Sequence, residues 1–267
     1  MTTLAHSVWG PAPAAVADRA AAVVLLHGFL GSGRNLASLA QALAGDDPQR
    51  LVVAPDLTGH GASPPLPPGA DLGVLAADVL DTIGRLGAAP AALVGHSLGG
   101  RVALRAALAE PYAVAAVVLL DITPSPLGRD AGTREVVDAL LAAPAAAAHR
   151  DVFREHFRDR GLAPEIVEWL LTNLVPEGPA LRWRVDRAAL AALRERTAGE
   201  DLWPAVEGPR AHRVHCIRGG ASPYVDEADA RRLRAAGCAV DTVAGAGHFL
   251  HVTHPAEVRA LVARALR

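Results

Sequence analysis

Lysine is missing altogether, so all 26 basic residues among the 267 are arginine. Its absence excludes a Walker phosphate loop, a pyridoxal Schiff base and any lysine nucleophile, since each needs the lysine amine or ammonium. Cysteine is nearly as scarce. Cys216 and Cys238 are too few for a disulfide framework or a thiolate zinc site, and both fall in expected strands as small buried thiols. No excess of either charge exists: 28 acidic residues against 26 basic give a formal net charge of −2. That balance provides no electrostatic footprint for nucleic acid or an anionic membrane. Long apolar runs are lacking too; the longest, Ala113–Leu120, is far short of a membrane span. The first residues hold no basic stretch leading into an apolar segment, so no signal peptide, no stable membrane insertion and a cytoplasmic location are expected.

What is present is apolar residue in quantity, 51% of a chain long enough for one large α/β domain. Short apolar runs at Ala21–Leu26, Arg50–Ala54, Ala91–Val94 and Ala113–Leu120 predict buried parallel strands, with two more at Val214–Arg218 and Val240–Val243. Helical spacing over Arg34–Ala44, Leu72–Leu86, Leu98–Ala109 and Pro255–Leu266 supplies the crossovers. A mostly parallel wound sheet with helices on both faces follows. Between Ile122 and Asp201 the alternation stops. There the pattern predicts an almost wholly helical stretch, with helices at Thr133–Ala142, Pro144–Arg158, Pro164–Leu174 and Arg187–Arg196. The chain therefore divides into a core, residues 1–122 and 201–267, and a helical cap, residues 123–200.

Gly95-His96-Ser97-Leu98-Gly99, with a strand before it and a helix after it, is the G-x-S-x-G nucleophile elbow of α/β-hydrolases. The turn presents Ser97 at a helix N-terminus, where backbone N–H groups stabilise negative charge. An oxyanion hole needs a second donor from the earlier strand–helix loop, and His27-Gly28-Phe29-Leu30-Gly31 lies there. The amides of Phe29 and Leu98 are the expected pair. His27, and likewise Asp56 and His60 in Asp56-Leu57-Thr58-Gly59-His60, are expected to fix loops rather than to react. Triad order places the base late, and His248 in Gly245-Ala246-Gly247-His248-Phe249 fits. His251 and His254 follow at equal intervals but lack a carboxylate or thiolate at ligand spacing, so no metal is expected.

The acid has two candidates. The usual loop, Arg218-Gly219-Gly220-Ala221-Ser222-Pro223-Tyr224-Val225-Asp226, holds Ser222 where an aspartate belongs, and a serine cannot charge-stabilise an imidazolium. Asp226 lies further along that loop. Asp121 ends the apolar strand beside the nucleophile strand, at the sheet edge where ligands gather.

Four segments resemble the YbfF-type esterases, a group that includes related mitochondrial hydrolases. They are the elbow, Leu120-Asp121-Ile122-Thr123-Pro124, Arg182-Trp183-Arg184-Val185 and Gly219-Gly220-Ala221-Ser222-Pro223-Tyr224-Val225. The resemblance implies Ser97, Asp121 and His248 as the triad, with Ser222 as an accessory beside the histidine. It also implies small-molecule acyl ester or thioester substrates of short to medium chain, without a cofactor. The chain departs from that group at Gly59, where Asn is usual, and at Arg101, where Lys is usual. Gly99-Gly100-Arg101 is also compatible with a carbon–carbon hydrolase or lyase using the same triad.

Overall fold

A computed structural model describes residues 3–11, 22–128, 134–208 and 213–267. Ala21 and Thr133, expected to open a strand and a helix, lie outside the described residues. In chain order the first elements are β1 (His6–Trp9), β2 (Val23–Leu26), α1 (Ala37–Asp46) and β3 (Val52–Pro55). There follow α2 (Leu72–Arg85), β4 (Ala91–His96), α3 (Leu98–Ala109) and β5 (Val114–Leu120). An insertion then contributes α4 (Arg134–Ala142), β6 (Ala146–Ala147), α5 (Arg150–Arg158) and α6 (Pro164–Leu171). Its remaining elements are β7 (Leu174–Glu177), β8 (Ala180–Trp183) and α7 (Arg187–Ala198). The chain closes with α8 (Pro204–Glu207), β9 (Val214–Gly219), α9 (Glu227–Ala235), β10 (Ala239–Val243), α10 (Leu250–Thr253) and α11 (Pro255–Ala265).

Seven strands form one sheet in the order β1-β3-β2-β4-β5-β9-β10. All are parallel except β1, which pairs antiparallel with β3 at the edge. Burial on both faces explains why β2, β3 and β4 read as continuous apolar runs. On one face α1 and α11 bury Leu39, Leu43, Val258 and Val262 against the sheet. On the other, α2, α3 and α9 contribute Leu75, Val79, Val102 and Leu233. β4 is central, and its register pairs Gly95 with Leu26 and with Leu119, and His96 with Leu120. Residues 27, 97 and 121 therefore leave the same edge of the sheet side by side. Among the described residues, no helix is long and apolar enough to cross a membrane.

The insertion is not wholly helical, and this corrects the expectation. β6, β8 and β7 make a three-stranded antiparallel sheet. The expected helix from Pro144 begins only at Arg150, because Ala146 and Ala147 pair with Arg182 and Leu181 and the Pro144 carbonyl accepts from Trp183 Nε1 at 2.8 Å. The next helix ends at Leu171, and Leu174 enters a hairpin that turns through Gly178 at φ 58°. Glycine adopts such a positive φ without steric cost.

Buried polar side chains help hold the insertion to the core. Buried Asn173 donates from Nδ2 to the Leu30 carbonyl at 2.9 Å. Arg101, only 1% exposed, donates to Ser125 O (2.8 Å) and Thr123 O on the entering chain and to Thr197 O (3.2 Å) and Glu200 O (2.5 Å) on the leaving one. The basic residue that was compatible with a lyase thus spends its guanidinium on main-chain carbonyls.

Candidate active site

The elbow is built by close backbone approach. A Cβ on Gly95 would stand 2.3 Å from Gly99 O, and one on Gly99 would stand 2.2 Å from Leu26 O, so neither position admits a side chain. Ser97 sits between them at φ 52°, ψ −118°. Among described residues that are not glycine, only Leu30 (φ 59°), Ser97 and Asp121 (φ 53°) have positive φ. Each follows the end of one of three adjacent strands, β2, β4 and β5. Such backbone costs about 1–3 kcal/mol per residue and concentrates where function over-determines geometry.

Asp121 is fully buried and accepts three hydrogen bonds. Gly219 N–H reaches Oδ1 at 2.8 Å, His248 Nδ1–H reaches Oδ2 at 2.8 Å, and the Ser222 hydroxyl donates to Oδ2. Ser222, at the loop position where an aspartate was expected, thus spends its hydroxyl on the Asp121 carboxylate. Asp226, the other candidate, caps α9 by accepting from Asp229 N–H at 2.7 Å. With Nδ1–H facing the carboxylate, the tautomer of His248 leaves Nε2 as an acceptor.

Three contacts around His248 had no signal in residue spacing. Tyr224 stacks on its ring, with centroids 3.9 Å apart and planes 21° from parallel. His96, the residue before Ser97, donates Nε2–H to the His248 carbonyl at 2.9 Å. Phe249 packs edge-on at 5.5 Å. The motif loop Ser222-Pro223-Tyr224 was the place to look for the first of these.

Ser97 and His248 line one cavity of about 190 Å³ together with Phe29, Trp169, Phe249 and Val252. Its walls are chiefly apolar side chains, the surroundings that suit the hydrocarbon part of a ligand. The Leu98 amide opens α3 and, as one of the first in the helix, has no intrahelical acceptor. Of the aromatic residues in the insertion, Trp169 faces this cavity. Phe153 and Phe157 do not: both are fully buried against Trp183, at 5.4 and 6.0 Å between ring centres.

His27, Asp56 and His60 brace the floor. Leu57 N–H donates to His27 Nε2 at 2.9 Å, and His27 Nδ1–H donates to Gly28 O at 2.8 Å, which joins the Phe29 loop to the Asp56 loop. Asp56 accepts from Gly33 N–H and Ala62 N–H, both at 2.7 Å. His60 Nδ1 lies 3.1 Å from Thr58 O, and its ring meets His27 edge-on at 5.1 Å. Burial lowers His27 to about 4 and His60 to about 3, and holds His96 well below its usual value. All three are neutral in the fold, whereas the unfolded chain protonates them near pH 6.5. Below that pH the unfolded state carries the extra protons, so stability falls with acidity, by about 2 kcal/mol for each of His27 and His60 between pH 7 and pH 5, with His96 acting in the same direction. The urea midpoint is expected to drop steeply over that interval. An unchanged midpoint would mean that the folded protein takes up those protons.

The family described as the alpha/beta hydrolase family matches residues 23–261, and the chain belongs to it. Over 247 residues it is 32% identical to "sn-1-specific diacylglycerol lipase ABHD11" of Mus musculus, covering 88% of this chain and 77% of that one. It is 29% identical over 255 residues to "Esterase YbfF" of Escherichia coli (strain K12), covering 91% and 92%. A solved "Marine microorganism esterase" shares the fold at a TM-score of 0.85 and 21% identity, covering 99% of each chain.

Proposed function

We propose that this chain is a serine hydrolase that cleaves carboxylic esters or thioesters of short to medium acyl chain through an acyl-enzyme on Ser97. The observation that carries the reading is His248 Nδ1 on buried Asp121 at 2.8 Å, with the ring and the strained Ser97 lining one apolar cavity. His248 Nε2 takes the Ser97 proton as Oγ bonds to the carbonyl carbon, and the Phe29 and Leu98 amides hold the oxyanion. The bond to the leaving oxygen or sulfur then breaks, and that atom receives the proton from His248. Water repeats the sequence on the acyl-enzyme and frees the acid and Ser97. Each step uses only side chains and main-chain amides. Residues 123–200 act as a cap over the core, residues 1–122 and 201–267, and a cytoplasmic setting suits the proposal. The names of the lipase and esterase relatives support ester cleavage.

The test is turnover of p-nitrophenyl butanoate together with fluorophosphonate labelling, with the adduct mapped by peptide mass. Hydrolysis with label on Ser97 is the expected result. A folded protein that neither turns over any acyl ester nor takes the label would remove the reading.

A further inference from the structure

A second, smaller cavity of about 40 Å³ also borders Ser97, where Leu98, Leu127, Leu193 and Ala198 line it together with Arg101, Arg194 and Thr197. It shares Phe29, Ser97 and Tyr224 with the large cavity of about 190 Å³. The remaining walls are not interchangeable. His248 borders only the large cavity, whereas Leu98 borders only the small one.

An ester bound at Ser97 has two arms, and the chemistry orients them. Only the leaving arm carries an atom that must receive a proton from His248 when its bond to carbon breaks. Resting on the acyl-enzyme reading, we propose that the leaving group occupies the large cavity and the acyl chain the small one. The enzyme is then selective for short acyl groups on bulky apolar alcohols or thiols.

Sizes follow from the volumes. The small cavity has about a fifth of the volume of the large one, so it suits a short acyl group such as butanoyl and the large one a bulkier arm. Leu98, Leu127, Leu193 and Ala198 give the acyl arm an apolar wall, beside the side chains of Arg101, Arg194 and Thr197. Leu193 and Ala198 both belong to α7, so the insertion closes the acyl side of the site.

The experiment is a two-way ester panel read as kcat/KM. With p-nitrophenol fixed, activity is expected to fall at least tenfold from butanoyl to octanoyl. With butanoyl fixed, activity is expected to hold or rise as the alcohol grows from methyl to naphthyl. Leu193→Ala is expected to move the acyl optimum about two carbons longer, and Ala198→Leu to restrict it to acetyl. The second variant fills space rather than emptying it, so it serves even if the first folds poorly. Neither is expected to change the ranking of alcohols, which Trp169→Ala is expected to change. Octanoyl esters cleaved as well as butanoyl, with both α7 variants altering only the alcohol ranking, would reverse the assignment while leaving the esterase reading intact. No ester turnover and no fluorophosphonate adduct would remove both.

Discussion

Ser97→Ala is expected to lower kcat for ester hydrolysis by roughly 10⁶ and to abolish fluorophosphonate labelling. Loss of the nucleophile has an effect of that order in serine proteases, where the oxyanion donors and substrate binding leave roughly 10³–10⁴ of residual acceleration over water. Here too the Phe29 and Leu98 amides are main-chain groups that the substitution leaves in place. The backbone at Ser97, φ 52°, persists as well, because the glycine contacts on either side impose it. A steady-state assay on protein free of contaminating esterase reads the loss. Retention of a tenth of the activity would place the nucleophile elsewhere.

Asp121→Asn is expected to lower kcat by roughly 10⁴, the order found when a triad aspartate is neutralised in a serine protease. The reason is local. Asp121 accepts from Gly219 N–H, Ser222 O–H and His248 Nδ1–H, an all-donor surrounding that suits an acceptor-only carboxylate. With an amide oxygen kept toward Gly219 N–H, the NH₂ replaces the oxygen that Ser222 and His248 share; the hydroxyl can turn to accept, but the imidazole must present Nδ1 as an acceptor, which is the wrong tautomer. Asp226→Asn is expected to cost less than about tenfold, roughly 1.4 kcal/mol or below, since asparagine caps a helix about as well as aspartate. Ser222→Ala is expected to lie between the two, as its hydroxyl orients Asp121 without supplying charge. Equal losses at Asp121 and Asp226 would contradict the geometry.

What could be read before folding was whatever leaves a local trace. The elbow was legible because close approach at Gly95 and Gly99 demands glycine at fixed spacing around a serine. Asp121 was legible as a candidate because a carboxylate ending an apolar strand needs partners, though its choice over Asp226 came from resemblance. Four of the parallel strands, β2 to β5, were legible from their apolar runs, whereas β9 and β10 carry polar residues among their apolar ones. β1 was not legible, since its four residues are largely exposed at a sheet edge and bear no apolar run. The small sheet of the insertion was hidden by alanine and proline, which suggest helices and helix starts without excluding β6 or the Gly178 hairpin. Tyr224 on His248, and His96 on the His248 carbonyl, depend on three-dimensional proximity alone, and spacing carries no information about them.

The three positive-φ residues at the ends of β2, β4 and β5 bear on how far this protein could be made to resist heat. Glycine adopts φ 52°, ψ −118° freely, whereas alanine does not. Of two equally inactive proteins, Ser97→Gly should therefore melt above Ser97→Ala, against the usual ranking of those residues. Directed evolution for thermostability alone would favour glycine at position 97 and lose the Ser97 hydroxyl, whereas the buried Leu30 side chain and the three hydrogen bonds of Asp121 oppose the same change at the other two positions. Any campaign for a hardier enzyme thus has to select on turnover at every round.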